Sequence, residues 1–253
     1  MISHLTFNII CWIWIAIAVI LFPLLLKVTQ PYGRHSKTNW GPMINNRSGW
    51  FVMELPALFA FGYYLLFIES WFNILILIPV ILWGLHYIHR VFIFPFQIRT
   101  AKKKMPVVIV VFALFFNIVN GYLNGYWLLH FVPEYRSNVL IDLRLAAGVV
   151  FFLTGFVINK YHDNLLIKLR SASGNGYKIP YGGLFKYISC PNFLGEIISW
   201  AGFAVVAFNL PALSFLVWTI VNLSTRALDH HKWYLKEFPD YPKERKAIIP
   251  RLL

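Results

Sequence analysis

The chain has 253 residues, of which 58% are hydrophobic and 13% are charged, and its mean hydropathy is +0.61. Those values exclude an ordinary soluble globular protein and indicate a membrane protein. The formal net charge of +13 could indicate a nucleic-acid-binding protein, but the distribution of the basic residues along the chain favours a different explanation.

Seven apolar runs are long enough, or nearly so, to cross a bilayer as helices. They predict an all-α, multi-pass membrane protein with a single domain over residues 1–253. The first run is long enough to span and no A-x-A-like cleavage site marks a secretory signal, so we expect it to remain. Asn209-Leu210-Pro211 separates the last two runs and predicts a tight helical hairpin. The predicted transmembrane helices cover residues 7–27, 48–69, 71–94, 106–130, 143–165, 191–209 and 210–227, to within a few residues.

The basic residues are concentrated on one predicted side of the membrane. With seven spans, the loops after the first, third and fifth share a side with the C-terminal tail and hold all basic residues except Arg136 and Arg144. The positive-inside rule therefore predicts a cytoplasmic C-terminus, at the endoplasmic reticulum in a eukaryote or the inner membrane in a bacterium. Contact with membrane lipid, and not with nucleic acid, explains most of this charge. Lys102 to Lys104, Arg170 and Lys178 could also steer a soluble polyanion such as a dinucleotide.

Polar and charged residues interrupt the last three spans at intervals of four residues. Side chains at that spacing lie on one face of a helix. Asparagine and carboxylate groups can bond a carboxamide or ribose hydroxyls, and arginine suits a pyrophosphate. Because the pattern recurs on three consecutive helices, it favours a ligand site over simple interhelical contacts, which are the alternative. The residues concerned are Asn159 and Asp163, then Asn192 and Glu196, then Arg226, His230 and Tyr234.

Other common nucleotide and metal sites are disfavoured by the sequence. No strand followed by G-x-G-x-x-G is present, so any dinucleotide site is of a non-Rossmann type. His86, His89, His230 and His231 have no H-E-x-x-H or cysteine partners, and their basic surroundings disfavour a metal ion. The two cysteines lack metal spacing, and we expect both to be buried packing residues.

A second pair of polar residues lies in the N-terminal half. Glu54 stands among apolar residues in the second span, with no basic residue nearer in sequence than Arg47. Desolvation favours the protonated form of such a carboxyl. A neutral carboxyl beside the Tyr87 hydroxyl would form a donor pair suited to a carbonyl oxygen that gains negative charge. A structural hydrogen bond for Glu54 and an interfacial anchor for Tyr87 remain the alternatives.

Together these residues resemble the steroid 5α-reductase family over most of the chain, most densely from about residue 140 onwards. The C-terminal motif alone is shared with sterol reductases and membrane methyltransferases, whereas the Glu54 and Tyr87 motifs narrow the resemblance. The motifs are Glu54-Leu55-Pro56, His86-Tyr87-x-His89-Arg90, Tyr177-x-Ile179-Pro180-x-Gly182-Gly183-Leu184-Phe185, Asn192-Phe193-Leu194-Gly195-Glu196 and Arg226-Ala227-x-x-His230-His231-x-x-Tyr234.

The resemblance implies a seven-helix reductase that uses NADPH to reduce the Δ4 double bond of a 3-oxo steroid or other lipophilic enone. It implies hydride transfer to C5, with Glu54 and Tyr87 bonding the 3-oxygen as it becomes an enolate. Helices one to four would hold the substrate, and helices five to seven with the cytoplasmic loops would hold the cofactor. We expect a monomer without a metal. By position, the implied NADPH site is formed by Asn159, Asp163, Arg170, Tyr177, Lys178, Asn192, Glu196, Arg226, His230 and Tyr234.

The sequence departs from the mammalian pattern of that family in a few places. Phe112 replaces an arginine, Asp229 replaces a histidine, and both the Lys102 to Lys104 cluster and the loop at residues 171–176 differ. These differences concern substrate range and nucleotide affinity more than the chemistry.

Other functions remain as alternatives. The nearest is a polyprenal or enoyl-thioester reductase of the same superfamily, for which the Lys102 to Lys104 cluster could supply a basic groove. A methyltransferase that uses S-adenosylmethionine needs neither phosphate-binding arginines nor the Glu54 and Tyr87 pair. A transporter or sterol-binding protein leaves the dinucleotide-like groups unexplained.

Overall fold

The structure is a computed structural model that describes residues 2–69, 73–98, 103–132, 143–172 and 176–253. It is mostly helical, as the sequence predicts. A π-helical turn, His89–Ile93, joins α3 to α4. The helices are α1 (His4–Leu25), α2 (Asn46–Leu65), α3 (Ile74–Ile88), α4 (Phe94–Gln97), α5 (Val107–His130), α6 (Leu143–Ala172), α7 (Pro191–Ala207) and α8 (Leu210–Glu237).

Each predicted span coincides with a helix, and in the described part of the chain four helical segments are long and apolar enough to cross a membrane. Those segments are His4–Leu25, Ile74–Gln97, Val107–His130 and Leu143–Arg170, while α7 is apolar but shorter. Large apolar side chains cover the outside of the bundle: Leu5, Phe59 and Leu66 are 72%, 69% and 80% exposed. An apolar outer surface of this kind suits contact with lipid. The count of seven membrane crossings stays a prediction.

Glycines let two pairs of helices approach closely. On α5, a Cβ at Gly121 would lie 2.9 Å from Cβ of Ala60, and one at Gly125 would lie 2.9 Å from the carbonyl oxygen of Phe61 on α2. On α6, a Cβ at Gly155 would run into the backbone of Ser199 on α7. Small residues at such positions are typical of helix pairs in membranes. The backbones of α2 and α5, and those of α6 and α7, therefore lie in direct contact. This contact fixes the positions of the polar side chains on these helices.

The hairpin between α7 and α8 forms as predicted. Phe208 ends α7 in the left-handed region at φ 45°. Asn209 then caps α8, because its side-chain oxygen accepts a hydrogen bond from the Ala212 amide. The helix continues to Glu237, ten residues beyond the predicted end at 227. Hydropathy predicts only the apolar first part of α8. The polar residues Arg226, His230 and Tyr234 keep helical spacing and continue the helix beyond that part.

Two short strands were not predicted. Strand β1 (Met43–Asn45) pairs antiparallel with β2 (Lys104–Pro106) and joins the residues before α2 to those before α5. At the other end of the sequence, a parallel bridge between Ile188 and Lys246 joins the C-terminal segment to the residues before α7. Three-residue strands are too short to leave a periodic pattern in a sequence.

Candidate active site

A large cleft lies where both halves of the bundle meet. It encloses about 1020 Å³ of empty space, part of it open to solvent. Its walls come from α2, the π-helical turn with α4, α6, α7 and α8, and from the loop between α1 and α2 (residues 26–45, the α1–α2 loop). Its lining combines charged, polar and aromatic side chains, as ligand sites do.

The structure gathers the ten predicted cofactor residues around this cleft. Lys178 and Tyr234 line a smaller cavity that shares Arg34, Arg170 and Tyr177 with the cleft. Asn159 lies just behind the wall, bonded to two residues beside the cleft. Their roles as ligands stay predictions. The residues that line the cleft directly are Asp163, Arg170, Tyr177, Asn192, Glu196, Arg226 and His230.

A hydrogen-bonded network joins α6 to α7. The Asn159 amide donates to the Asn192 carbonyl at 2.8 Å and to the Glu196 carboxylate at 3.4 Å. The Asn192 amide donates to Asp163 Oδ1 at 2.9 Å. Gly155 and Gly195 make this possible, because a side chain at either position would meet the backbone of the facing helix. Asn159 Oδ1 is buried and has no hydrogen-bond partner among the described residues, so it can accept one from a ligand.

The opposite end of the cleft is basic and aromatic. The Arg34 guanidinium lies 4.9 Å from the ring centre of Trp233 and 4.5 Å from that of Tyr234. Lys103 Nζ donates to the Tyr177 hydroxyl at 2.7 Å. The small cavity between Arg34 and Arg170 has no carboxylate in its lining, and Arg34 Nη1 is buried without a partner in the part of the chain that the structure describes. These features fit the binding of an anion.

The α1–α2 loop runs along α8 and closes this side of the cleft. Gln30 bonds Asn222 at 2.8 Å, and His35 Nε2 lies 2.9 Å from His230 Nδ1. Arg226 stacks over the Tyr32 ring at 4.1 Å. Burial, with the nearby Arg34 and Arg226 guanidiniums, lowers the pKa of His35 to about 4. The imidazole is therefore neutral at neutral pH and adds no charge to the basic wall.

Glu54 and Tyr87 lie beside the cleft on the α2 and α3 side. The Arg90 guanidinium lines the cleft, reaches the Glu54 carboxylate at 3.4 Å, and packs over the Trp50 and Phe94 rings. The counter-charge that the sequence neighbourhood of Glu54 lacks is therefore supplied by the π-helical turn, from a helix distant in sequence, and the protonation state expected of this carboxyl stays a prediction. The Tyr87 side chain is 2% exposed, and Glu54 lies within electrostatic range of its hydroxyl.

The sequence of this chain is similar to those of known proteins. Residues 103–253 match the sequence model of the family described as 3-oxo-5-alpha-steroid 4-dehydrogenase. The chain is 38% identical to the steroid 5-alpha-reductase DET2 of Arabidopsis thaliana, with 89% of each chain covered. It is 39% identical to the human 3-oxo-5-alpha-steroid 4-dehydrogenase 2, with 93% of each chain covered. This chain belongs to the 3-oxo-5-alpha-steroid 4-dehydrogenase family.

The departures from the mammalian members of the 3-oxo-5-alpha-steroid 4-dehydrogenase family lie mostly away from the cleft. Phe112 is 63% exposed on α5 and does not line it. Asp229 is hydrogen-bonded to Thr29, at the start of the loop that closes the cleft. Lys103 does line the cleft, whereas Lys102 and residues 173–175 lie outside the described residues. Among the described residues, neither Phe112, Asp229 nor Lys103 is bonded to the α6–α7 network.

Sequence reasoning missed several residues that lie at this candidate site. Arg34 was counted only as loop charge and His35 was given no role, although the run Tyr32-Gly33-Arg34-His35 combines aromatic, glycine and basic residues in the way that ligand loops do. Arg90 belongs to a recognised motif but had no role assigned to it. Its position three residues after Tyr87, on the same side of a helix, was the available signal.

Proposed function

We propose that this chain is an NADPH-dependent reductase of the Δ4 double bond of 3-oxo steroids, producing 5α-3-oxo steroids. One observation supports this most directly: a single cleft is lined both by the α6–α8 polar groups and by Arg90, whose guanidinium reaches the Glu54 carboxylate. The relatives are named as steroid 5-alpha-reductases or 3-oxo-5-alpha-steroid 4-dehydrogenases.

The residues around the cleft fit a dinucleotide phosphate. The buried, unpartnered Asn159 Oδ1 can accept from a carboxamide, and Asp163 and Glu196 offer acceptors for hydroxyl groups. Arg170, Tyr177, Lys178, Arg226, His230 and Tyr234, together with Arg34, would hold the phosphates and the adenosine. NADPH bound there would supply the hydride. The carboxylate-free cavity between Arg34 and Arg170 favours the additional 2′-phosphate that distinguishes NADPH from NADH.

On the substrate side, the chain's own groups would stabilise developing charge. The Tyr87 hydroxyl would donate to the 3-oxygen of the enone, which becomes an enolate oxygen when hydride reaches C5. Arg90 and Glu54 form a balanced pair, so Glu54 can orient the donor without adding an uncompensated negative charge next to the enolate. Trp83 and Trp200 are buried around Tyr87 and keep water from this end of the site.

The proposed cofactor also implies an orientation of the protein in the membrane. A soluble dinucleotide must enter from the aqueous side that holds Arg34, Lys103 and Lys178, which is the basic side of the predicted topology. We therefore propose a monomeric, multi-pass protein in which the C-terminal segment faces the cytoplasm. The α1–α5 part would hold the steroid, and the α6–α8 part would hold the nucleotide.

The test is turnover by purified protein in detergent, with NADPH and testosterone or progesterone. Loss of the nicotinamide absorbance, with a product two hydrogens heavier and of 5α configuration, is the expected result. NADPH binding without steroid turnover would redirect the search to polyprenals and enoyl thioesters. Failure to bind NADPH would refute the cofactor assignment and favour a methyltransferase or a non-enzymatic role.

A further inference from the structure

Asn117 on α5 touches both helices that carry the proposed catalytic side chains. Its side chain is buried, and it lies beside neither the nucleotide-binding groups nor the solvent. The Nδ2 group donates to the backbone carbonyl of Met53 on α2 at 2.6 Å. The Oδ1 atom lies 3.5 Å from the Tyr87 hydroxyl on α3. One amide therefore joins Tyr87 to the residue that precedes Glu54.

The orientation of this amide is determined by its partners. A backbone carbonyl can only accept a hydrogen bond, so the NH₂ group of Asn117 must face Met53. Its oxygen then faces Tyr87, and the Tyr87 hydroxyl hydrogen points towards Asn117. The amide thus determines where that hydrogen lies before any substrate is present.

The local backbone places the Asn117 side chain against α2. Pro56 lies inside α2 and has no N–H, so the Val52 carbonyl four residues earlier lacks its helical hydrogen bond and the ladder is irregular next to Met53. Gly121 and Gly125, one and two turns after Asn117, bring α5 into backbone contact with α2. Asn117 lies at that contact, where its side chain reaches the backbone of α2 beside the irregular part of the helix.

We propose that Asn117 is a positioning residue for the reduction proposed above, and the inference rests on that function. It holds the Tyr87 hydroxyl in place and directs its hydrogen until the 3-oxo group of the substrate arrives. At 3.5 Å the contact is longer than an ordinary O–H···O hydrogen bond, so the hydroxyl can leave it for the substrate oxygen at little cost. Asn117 itself touches neither substrate nor cofactor.

The first test replaces Asn117 by leucine, which has a similar size and no polar atoms. We expect kcat to fall on the order of 10-fold, because the donor is no longer held in its productive orientation, while the KM for NADPH stays within about twofold. Asn117→Ala removes the same amide without branching and gives the same expected result should the leucine variant fold poorly. All rates are divided by the fraction of protein that elutes as folded monodisperse material.

Asn124→Leu is the matched control. Asn124 is also a buried asparagine on α5, but its amide donates to the Asn120 carbonyl within its own helix. We expect its kcat to stay within about twofold of the wild-type value. An equal loss of kcat in the Asn124 and Asn117 variants would show that a buried amide on α5 matters only for structure, and it would overturn the proposal.

A double-mutant cycle separates positioning from structure. In a Tyr87→Phe background, Asn117→Leu should cause no further loss of kcat, because the hydroxyl through which it acts is gone. Losses that multiply, or an Asn117→Leu enzyme with wild-type kcat, would overturn the proposal while leaving the role of Tyr87 intact. If Tyr87→Phe itself kept full activity, the catalytic assignment of Tyr87 would fail first, and the Asn117 inference with it.

Discussion

The guanidinium of Arg90 lies 3.4 Å from the carboxylate of Glu54, although 35 residues separate the two along the chain. The π-helical turn His89–Ile93 places Arg90 there, with its other face against the Trp50 and Phe94 rings. Arg90 lines the cleft, and Glu54 is its carboxylate partner.

Tyr87→Phe tests the proposed donor to the 3-oxygen. Removing one such donor typically lowers kcat by about 10²- to 10³-fold, and the KM for NADPH should change little because Tyr87 does not line the cleft. Steady-state kinetics with the steroid and NADPH give both values. Tyr126→Phe is the control, since that buried tyrosine is remote from Glu54 and its hydroxyl accepts only a bond from the Ile2 amide among those described. Activity within a few-fold of wild type would disprove the tyrosine's role.

Glu196→Ala tests the α6–α7 network as a cofactor site. The variant removes a carboxylate that lines the cleft and accepts from Asn159, so we expect an apparent KM for NADPH that is higher by about 10-fold. The KM for the steroid should change less. Glu69→Ala, an exposed carboxylate after α2, is the control. An unchanged KM for NADPH would place Glu196 outside the site.

Arg34→Ala tests the proposed 2′-phosphate cavity. Loss of a buried, charge-assisted contact should raise the KM for NADPH by about 10-fold or more, while NADH, which lacks the phosphate, should be little affected. The ratio of the two kcat/KM values measures the effect. Lys37→Ala, an exposed cation on the same loop, should leave the ratio unchanged. Equal losses with both cofactors would mean that Arg34 holds the loop and does not select the phosphate.

The neutral His35 makes a prediction about acid stability. Its pKa is about 4 in the folded protein and about 6.5 in an unfolded chain, so the unfolded state takes up the proton first as the pH falls. Stability contributed by His35 is present above about pH 6.5 and is lost as the pH falls towards 4. The apparent Tm should therefore drop between about pH 7 and pH 5, and the drop should be smaller in His35→Asn. Lys37→Asn should keep the full drop, and an equal drop in both variants would contradict the assignment.

Gly155→Ala tests the close contact of α6 with α7. An added Cβ would run into the Ser199 backbone, which cannot move as a side-chain tip can, so we expect a loss of about 1–3 kcal/mol or more and a lower apparent Tm. Tryptophan fluorescence during heating in detergent records it. At Gly62 on α2 a Cβ meets nothing within 4 Å, so Gly62→Ala should be neutral or slightly stabilising. Equal Tm values for the two variants would argue against the packing described.

The parts of the site that follow from helical spacing could be predicted from the sequence. Asn159 and Asp163, or Asn192 and Glu196, share a helix face whatever the rest of the chain does, and the structure brings the two pairs together. The position of Arg34 could not be predicted, because the path of a loop depends on contacts with Trp233 and Tyr234 some 200 residues away. The Glu54–Arg90 pair was missed for a similar reason, since a π-helical turn leaves no periodic pattern.

The contact between the α1–α2 loop and α8 has a consequence for the order in which the protein is made. His35 contacts His230, and Arg34 contacts Trp233 and Tyr234, so the first part of the proposed nucleotide site to leave the ribosome gains its partners only when the last helix follows. Until that helix is synthesised, the early helices carry a basic loop with none of its aromatic partners. The proposed capacity to hold a cofactor would therefore arise in one late step of biosynthesis, and a ribosome that stalls before residue 230 would leave a chain without it.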